Sequence, residues 1–152
     1  MNDWRQEMAG ALKAFVTVAQ SAGVSLRFDE FVVEYWPAPH RPPSRLPDGT
    51  MAIYAFWWNG VWLKIGQAGS KSQARYTSHH YNPHSSNSNL SKSLIADPRM
   101  RDASGFGASD PGKWIRTSAC RANILLPATR GKELLSLLEA FLHVRLKPRY
   151  EG

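Results

Sequence analysis

Five side chains of this 152-residue chain have types and spacings that could do chemistry: Tyr54, Lys64, Arg75, His79 and Glu139. Tyr54 and Lys64 lie in two apolar runs, Met51–Trp58 and Val61–Ile65, on either side of Asn59-Gly60. That dipeptide is a strong hairpin signal. Faces alternate along a strand, so the turn decides whether phenol and ammonium can form one site. A two-residue turn pairs Trp58 with Val61 and sends Lys64 to the face opposite Tyr54. A three-residue loop with Gly60 left-handed in a bulge shifts the register by one and brings them to the same face. The sequence is compatible with both.

Arg75 and His79 are four residues apart in a segment, Ser72–His79, that reads as a helix, which would put them on one face. Arginine can grip a phosphate in a bidentate fork, and histidine can move a proton near neutral pH. An ordinary solvated basic face has the same pattern. Glu139 stands one turn after Leu135 and three residues before Leu142, beside an apolar stripe. A carboxylate near a core needs a partner or a metal; the alternative is an exposed stripe edge paired with His143. His79, His80 and His84 lack the paired ligand spacing of a zinc site. Neither a Gly-x-Ser-x-Gly elbow nor a phosphate-binding glycine loop occurs.

The elements that must hold these residues follow from periodicity. Asp3–Ala22 reads as a helix with Trp4, Met8, Leu12, Phe15, Val16 and Ala19 on one stripe, ended by Gly23. Val24–Tyr35 reads as a strand, or as a short turn followed by a strand. Residues 36–49 contain five prolines and read as a stiff basic arm, either lying along a phosphate backbone or simply tethering. Residues 82–112 read as an irregular insertion broken by a short helix at about 88–96. Ala122–Leu126 reads as a strand, and Lys132–Leu146 as a helix burying Leu134, Leu135, Leu138, Phe141 and Leu142.

The length suits a single domain, with residues 1–49 an extension and 50–152 a core interrupted at about 82–113. One cysteine, Cys120, fits a reducing compartment, and a cytoplasmic location is expected. No signal peptide or membrane span is expected. A net charge of +7 and pI ≈ 9.9 suggest a polyanionic partner.

The stretch Ala52-Ile53-Tyr54 through Leu63-Lys64-Ile65-Gly66-Gln67 resembles the two halves of the GIY-YIG nuclease signature. Arg75 matches the arginine of the following helix and His79 the polar residue one turn later. The ending Leu138-Glu139-Ala140 to Lys147-Pro148-Arg149-Tyr150 is similar to the metal-glutamate helix of that superfamily, in the form of the bacterial excision-repair incision subunit. Ala52 replaces the first glycine. Lys64 replaces the second tyrosine, as in some restriction endonucleases of the superfamily. Glu151 replaces the asparagine after Pro-x-Tyr.

The resemblance implies an α+β fold: a small antiparallel three-stranded sheet flanked by helices, to which the N-terminal helix and strand add a layer. It implies a metal-dependent endonuclease cutting DNA. Glu139 would hold one Mg²⁺ (or Mn²⁺), Tyr54, made more acidic by Lys64 and the metal, would be the general base, Arg75 would stabilise phosphate charge, and His79 would orient water or tyrosine. Nothing in the sequence separates DNA from RNA, and a non-catalytic nucleic-acid-binding module on the same fold is the alternative. A homodimer or larger complex is expected if both strands are cut. Candidate nucleic-acid contacts are Arg41, Arg45, Lys71, Asn87, Asn89, Lys92, Arg99 and Arg101; Asn and Arg can read adenine and guanine edges.

Overall fold

The computed structural model describes residues 3–85, 89–103 and 105–150. Its fold is α+β: an open four-stranded antiparallel sheet and five helices. The strands are β1 (Val32–Trp36), β2 (Thr50–Trp58), β3 (Val61–Ala68) and β4 (Cys120–Pro127), in the order β1-β4-β2-β3. The helices are α1 (Trp4–Ser21), α2 (Gln73–Thr77), α3 (Leu90–Ala96), α4 (Pro111–Ser118) and α5 (Lys132–Leu146). Among the described residues, no helix is long and apolar enough to cross a membrane.

The sheet therefore has four strands, not three. The N-terminal strand is not a separate layer but the outer strand, pairing with β4 from Val32↔Leu125 to Trp36↔Arg121. It begins at Val32, after the short turn that the sequence reading allowed. Leu26 is buried and Phe28–Glu30 forms a 3-10 turn before β1 begins. The turn is tied by a bond from the Arg27 amide to the Glu30 carboxylate.

Each face of the sheet is covered. Met51, Ile53, Ala55, Ile65, Ala122 and Ile124 pack against the stripes of α1 and α5. Opposite them, Tyr54, Phe56, Leu63 and Leu125 pack against Tyr76, Tyr81, Leu90, Leu94, Trp114 and Ile115. The segment expected to be an irregular insertion thus builds the second layer. The expected short helix is α3, capped by Asn89; α4 is the helix that expectation missed. Its signals were Asp110, whose side chain accepts the Lys113 amide, and Pro111 in the first turn.

The proline-rich segment wraps the surface and is pinned at two points. The His40 ring is buried, with Nδ1 2.9 Å from the Ala119 carbonyl oxygen and Nε2 2.7 Å from the Tyr81 hydroxyl. Gln73 bonds both the amide and the carbonyl of Leu46 (2.8 and 3.0 Å). The segment wraps the surface, as the tether reading has it.

Candidate active site

A cleft of about 620 Å³ opens where the sheet ends at β3, between α2 and α5. Tyr54, Lys64, Arg75, His79 and Glu139 all line it, with Ile65, Gly66, His80, Ser136, Ala140 and His143. The five residues singled out in the sequence are brought together.

The hairpin achieves this by a route that neither sequence register described. The Asn59-Gly60 turn has two residues, both with positive φ, and pairs Trp58 with Val61. A shift between Phe56 and Trp57 then makes Leu63 an extra residue in β3, so Phe56 pairs with Lys64 and Tyr54 with Gly66. Tyr54 and Lys64 share a face as diagonal neighbours because of a bulge inside the strand. The closing segment covers the bulge: the Arg149 and Tyr150 amides donate to the Trp62 and Leu63 carbonyls (2.8 and 2.9 Å), and the Tyr150 hydroxyl donates to Asp97 (2.6 Å). The remaining stretch of β3, Lys64–Gly66, faces the cleft.

Arg75 and His79 do not share a helix face. The helix stops at Thr77, whose hydroxyl donates back to the Gln73 carbonyl (2.8 Å), and His79–Tyr81 is a 3-10 turn. That turn directs His80, not His79, onto Tyr54: His80 Nε2 lies 2.7 Å from the Tyr54 hydroxyl. His80 Nδ1 accepts the Leu90 amide at 3.0 Å. Burial and cationic neighbours push this ring down to about 2, so it is neutral. Its proton is therefore on Nε2 and is donated to the phenol oxygen. The His79 ring stands edge-on to His80, centroids 4.7 Å apart, at the cleft wall.

The expected acidification of Tyr54 by Lys64 is not found. Burial drives the phenol well above its ordinary value, and the opposing cations are Arg75 and Arg121. Lys64 is itself held below its usual value by burial, and its Nζ has no hydrogen-bond partner among the described residues. Gly66 is fixed by this packing. A Cβ there would overlap the Tyr54 hydroxyl and lie 2.6 Å from Cζ.

Glu139 is half-buried, with Oε1 accepting from Gln67 Nε2 at 3.0 Å. The His143 Nε2 is 3.9 Å from Glu139 Oε2 but only 2.8 Å from the Ile65 carbonyl oxygen. The ring is thus spent on the β3 edge, and the Glu139–His143 contact is too long for a strong ion pair. No group of three His, Cys, Asp or Glu side chains able to hold a metal occurs among the described residues. A single carboxylate suits a hard cation such as Mg²⁺ that completes its shell from water and a substrate phosphate.

Sequence reasoning missed a second residue, Arg121 of β4, for which no motif signal exists. It is 1% exposed. Its Nε donates to Asn123 (2.7 Å), Nη1 to the Tyr81 hydroxyl (3.1 Å) and Nη2 to the Tyr76 carbonyl (2.7 Å). Five aromatic rings surround it, with centroids 5.0 to 6.0 Å from the guanidinium carbon.

The other nucleic-acid candidates are dispersed, and none of the described ones lines the cleft. Asn89 is buried, accepting the Lys92 amide and donating to the Asn82 carbonyl, so it is a helix cap and cannot read bases. Arg99 folds back onto Asp97 (2.9 Å), and Arg45 pairs with Asp48 (2.8 Å). Arg41 borders a separate hollow with Trp36 and Pro39, and Lys71 another with Lys132. Arg101 is exposed and Lys92 half-buried. Asn87 and Glu151 lie outside the described residues. No protein-family model, curated protein or solved structure matches the chain.

Proposed function

We propose that this chain is a divalent-metal-dependent endonuclease of the GIY-YIG type that hydrolyses phosphodiester bonds in DNA. The observation carrying this reading is the convergence of Tyr54, Lys64, Arg75, His79 and Glu139 on one concave, predominantly basic cleft. Further support comes from β2, β3 and β4, which correspond to the three strands that the resemblance implies, with β1 added outside β4.

Phosphodiester hydrolysis forms a bond from a water oxygen to phosphorus, breaks the bond to the leaving oxygen and requires a proton acceptor for the water. Tyr54 Oη takes that proton once it is a phenolate, and the Nε2–H of His80 donates to the oxygen in both states. Arg75 and Lys64 bring positive charge to the bound phosphate. Glu139, oriented by Gln67, would hold Mg²⁺ or Mn²⁺; when bound, the cation supplies positive field at the phosphate and neutralises the leaving oxygen. A solvent water in the open cleft gives its proton to the leaving alkoxide, and the proton taken up by Tyr54 returns to solvent.

The strong burial of Tyr54 favours a second reading, a non-catalytic nucleic-acid-binding module, because a phenol pushed up by burial is a poor base. Incubating the protein with supercoiled plasmid, single-stranded DNA and total RNA, with and without Mg²⁺ or Mn²⁺, separates the two. Metal-dependent nicking of the plasmid, abolished in Glu139→Gln while gel-shift binding persists, is expected. Binding without cleavage in either metal would establish the module, and full-rate cleavage by Glu139→Gln would refute the metal site.

A further inference from the structure

Arg121 presents an unusual charge balance. It is fully buried, and among the described residues no carboxylate pairs with it. Its hydrogen-bond chain reaches an acid only at one remove: Asn123, which accepts from Arg121 Nε, donates in turn to Glu34 (3.3 Å). A buried cation without a counter-ion is costly. A lysine could shed that cost by losing its proton; arginine cannot. Hydrogen bonds to two oxygens of Tyr81 and Tyr76 and the faces of five rings offset part of it. One of those rings is Tyr54, whose centroid is 5.5 Å from the guanidinium carbon. The strand pairing explains the meeting: β2 and β4 are neighbours, with Phe56 opposite Arg121 and Tyr54 opposite Asn123.

We propose that Arg121 is the buried counter-charge for the Tyr54 phenolate, a positioning residue that acts on the cleft from the sheet beneath it. Its use in catalysis rests on the reading of Tyr54 as proton acceptor; the charge coupling itself does not. A phenolate spreads negative charge into its ring, so a cation over the ring is attracted more strongly after ionisation than before. The cation that the neutral protein leaves without a counter-ion gains one when Tyr54 loses its proton. The groups facing Tyr54 from other elements are His80 and His79 from the 3-10 turn, Arg75 from α2, Lys64 from β3, Glu139 from α5 and Arg121 from β4. Of these, Arg121 is the fully buried fixed cation, shielded from salt and solvent.

The test reads ionisation directly, without substrate or metal. A ring-fluorinated tyrosine at position 54 brings the titration to a pH at which the protein stays folded, and phenolate absorbance gives its midpoint. Arg121→Gln should raise that midpoint by about one to two units, from the coulombic attraction at this separation. Should Arg121→Gln fail to fold, citrulline at position 121, introduced by ligation at the native Cys120, keeps the side chain's shape and removes its charge. An unchanged midpoint in a folded neutral protein overturns the proposal. Failure of both neutral forms to fold would make Arg121 a scaffold element and end the proposal too. Because no cleavage is measured, these outcomes stand apart from success or failure of the nuclease reading.

Discussion

The Tyr54 hydroxyl accepts a hydrogen bond from His80 Nε2 at 2.7 Å, because the other ring nitrogen of His80 is occupied by the Leu90 amide. The tautomer is set by a backbone donor on α3, so the 3-10 turn at His79–Tyr81 and α3 together fix the chemistry of the cleft. His80, one residue from the histidine singled out in the sequence, is the one that holds the tyrosine.

Replacing the two histidines should therefore have unequal effects. In single-turnover cleavage assays, His80→Ala should lose on the order of 10²–10⁴ in rate, the usual scale for a group in the acid–base machinery. His79→Ala, which leaves the Tyr54 bond intact, should lose less. Equal losses would remove His80 from its assigned place.

Gly66 and Tyr54 should be energetically coupled. Gly66→Ala forces a methyl group into the tyrosine ring and should destabilise by about 1–3 kcal/mol, the usual cost of overpacking. In a Tyr54→Leu background the same change should cost much less. A urea-denaturation double-mutant cycle measures the difference. Additive costs would mean that the ring moves aside freely.

These couplings show where sequence reading reaches and where it stops. Helix α5 is legible to its ends because Leu134, Leu135, Leu138 and Leu142 keep one period, and all four are buried. The hairpin is legible from Asn59-Gly60, whose backbone needs positive φ at both positions. The bulge at Leu63 is not, since no turn chemistry marks an extra residue inside a strand. Nor are His80, His40 and Arg121, whose partners lie 26, 79 and 45 residues away. A polar residue in an apolar strand, as Arg121 is, reads as solvent-facing until the opposite layer is known.

Stability should fall on mild acidification. Burial holds His40 at about 4 and His80 at about 2, both below the value near 6.5 of an unfolded chain. The unfolded state therefore binds protons first, and the contribution of the neutral rings is complete above about pH 6.5 and is lost as pH falls below it. Between pH 7.5 and 5 each ring should cost about 2 kcal/mol, at 1.36 kcal/mol per pH unit. His40→Gln should remove about half of the total drop. Asp97, held low first by Arg99 and then by Tyr150, contributes its stability in full above the ordinary carboxylate range and loses it only as pH falls below that range, so it leaves this window to the histidines. Urea midpoints that do not change from pH 7.5 to 5 would contradict the buried, neutral assignment.

Two arginines should separate phosphate contact from fold. Arg75 is exposed at the cleft and has no carboxylate partner among the described residues. Arg99 is held by Asp97, with Nε 3.0 Å from Oδ1 and Nη2 2.9 Å from Oδ2, and Asp97 also accepts the Tyr150 hydroxyl. A guanidinium already forked onto a carboxylate must break that pair before it can meet a phosphate. Arg75→Ala should lower DNA affinity and reduce the slope of log affinity against log salt by about 1, the signature of one lost phosphate contact. Arg99→Ala should leave both the affinity and the slope unchanged. Fluorescence-anisotropy titrations of a labelled duplex at several salt concentrations, in Ca²⁺ to prevent cleavage, read both quantities. A slope that falls for Arg99→Ala and not for Arg75→Ala would move the phosphate track away from the cleft and onto α3 and its following turn.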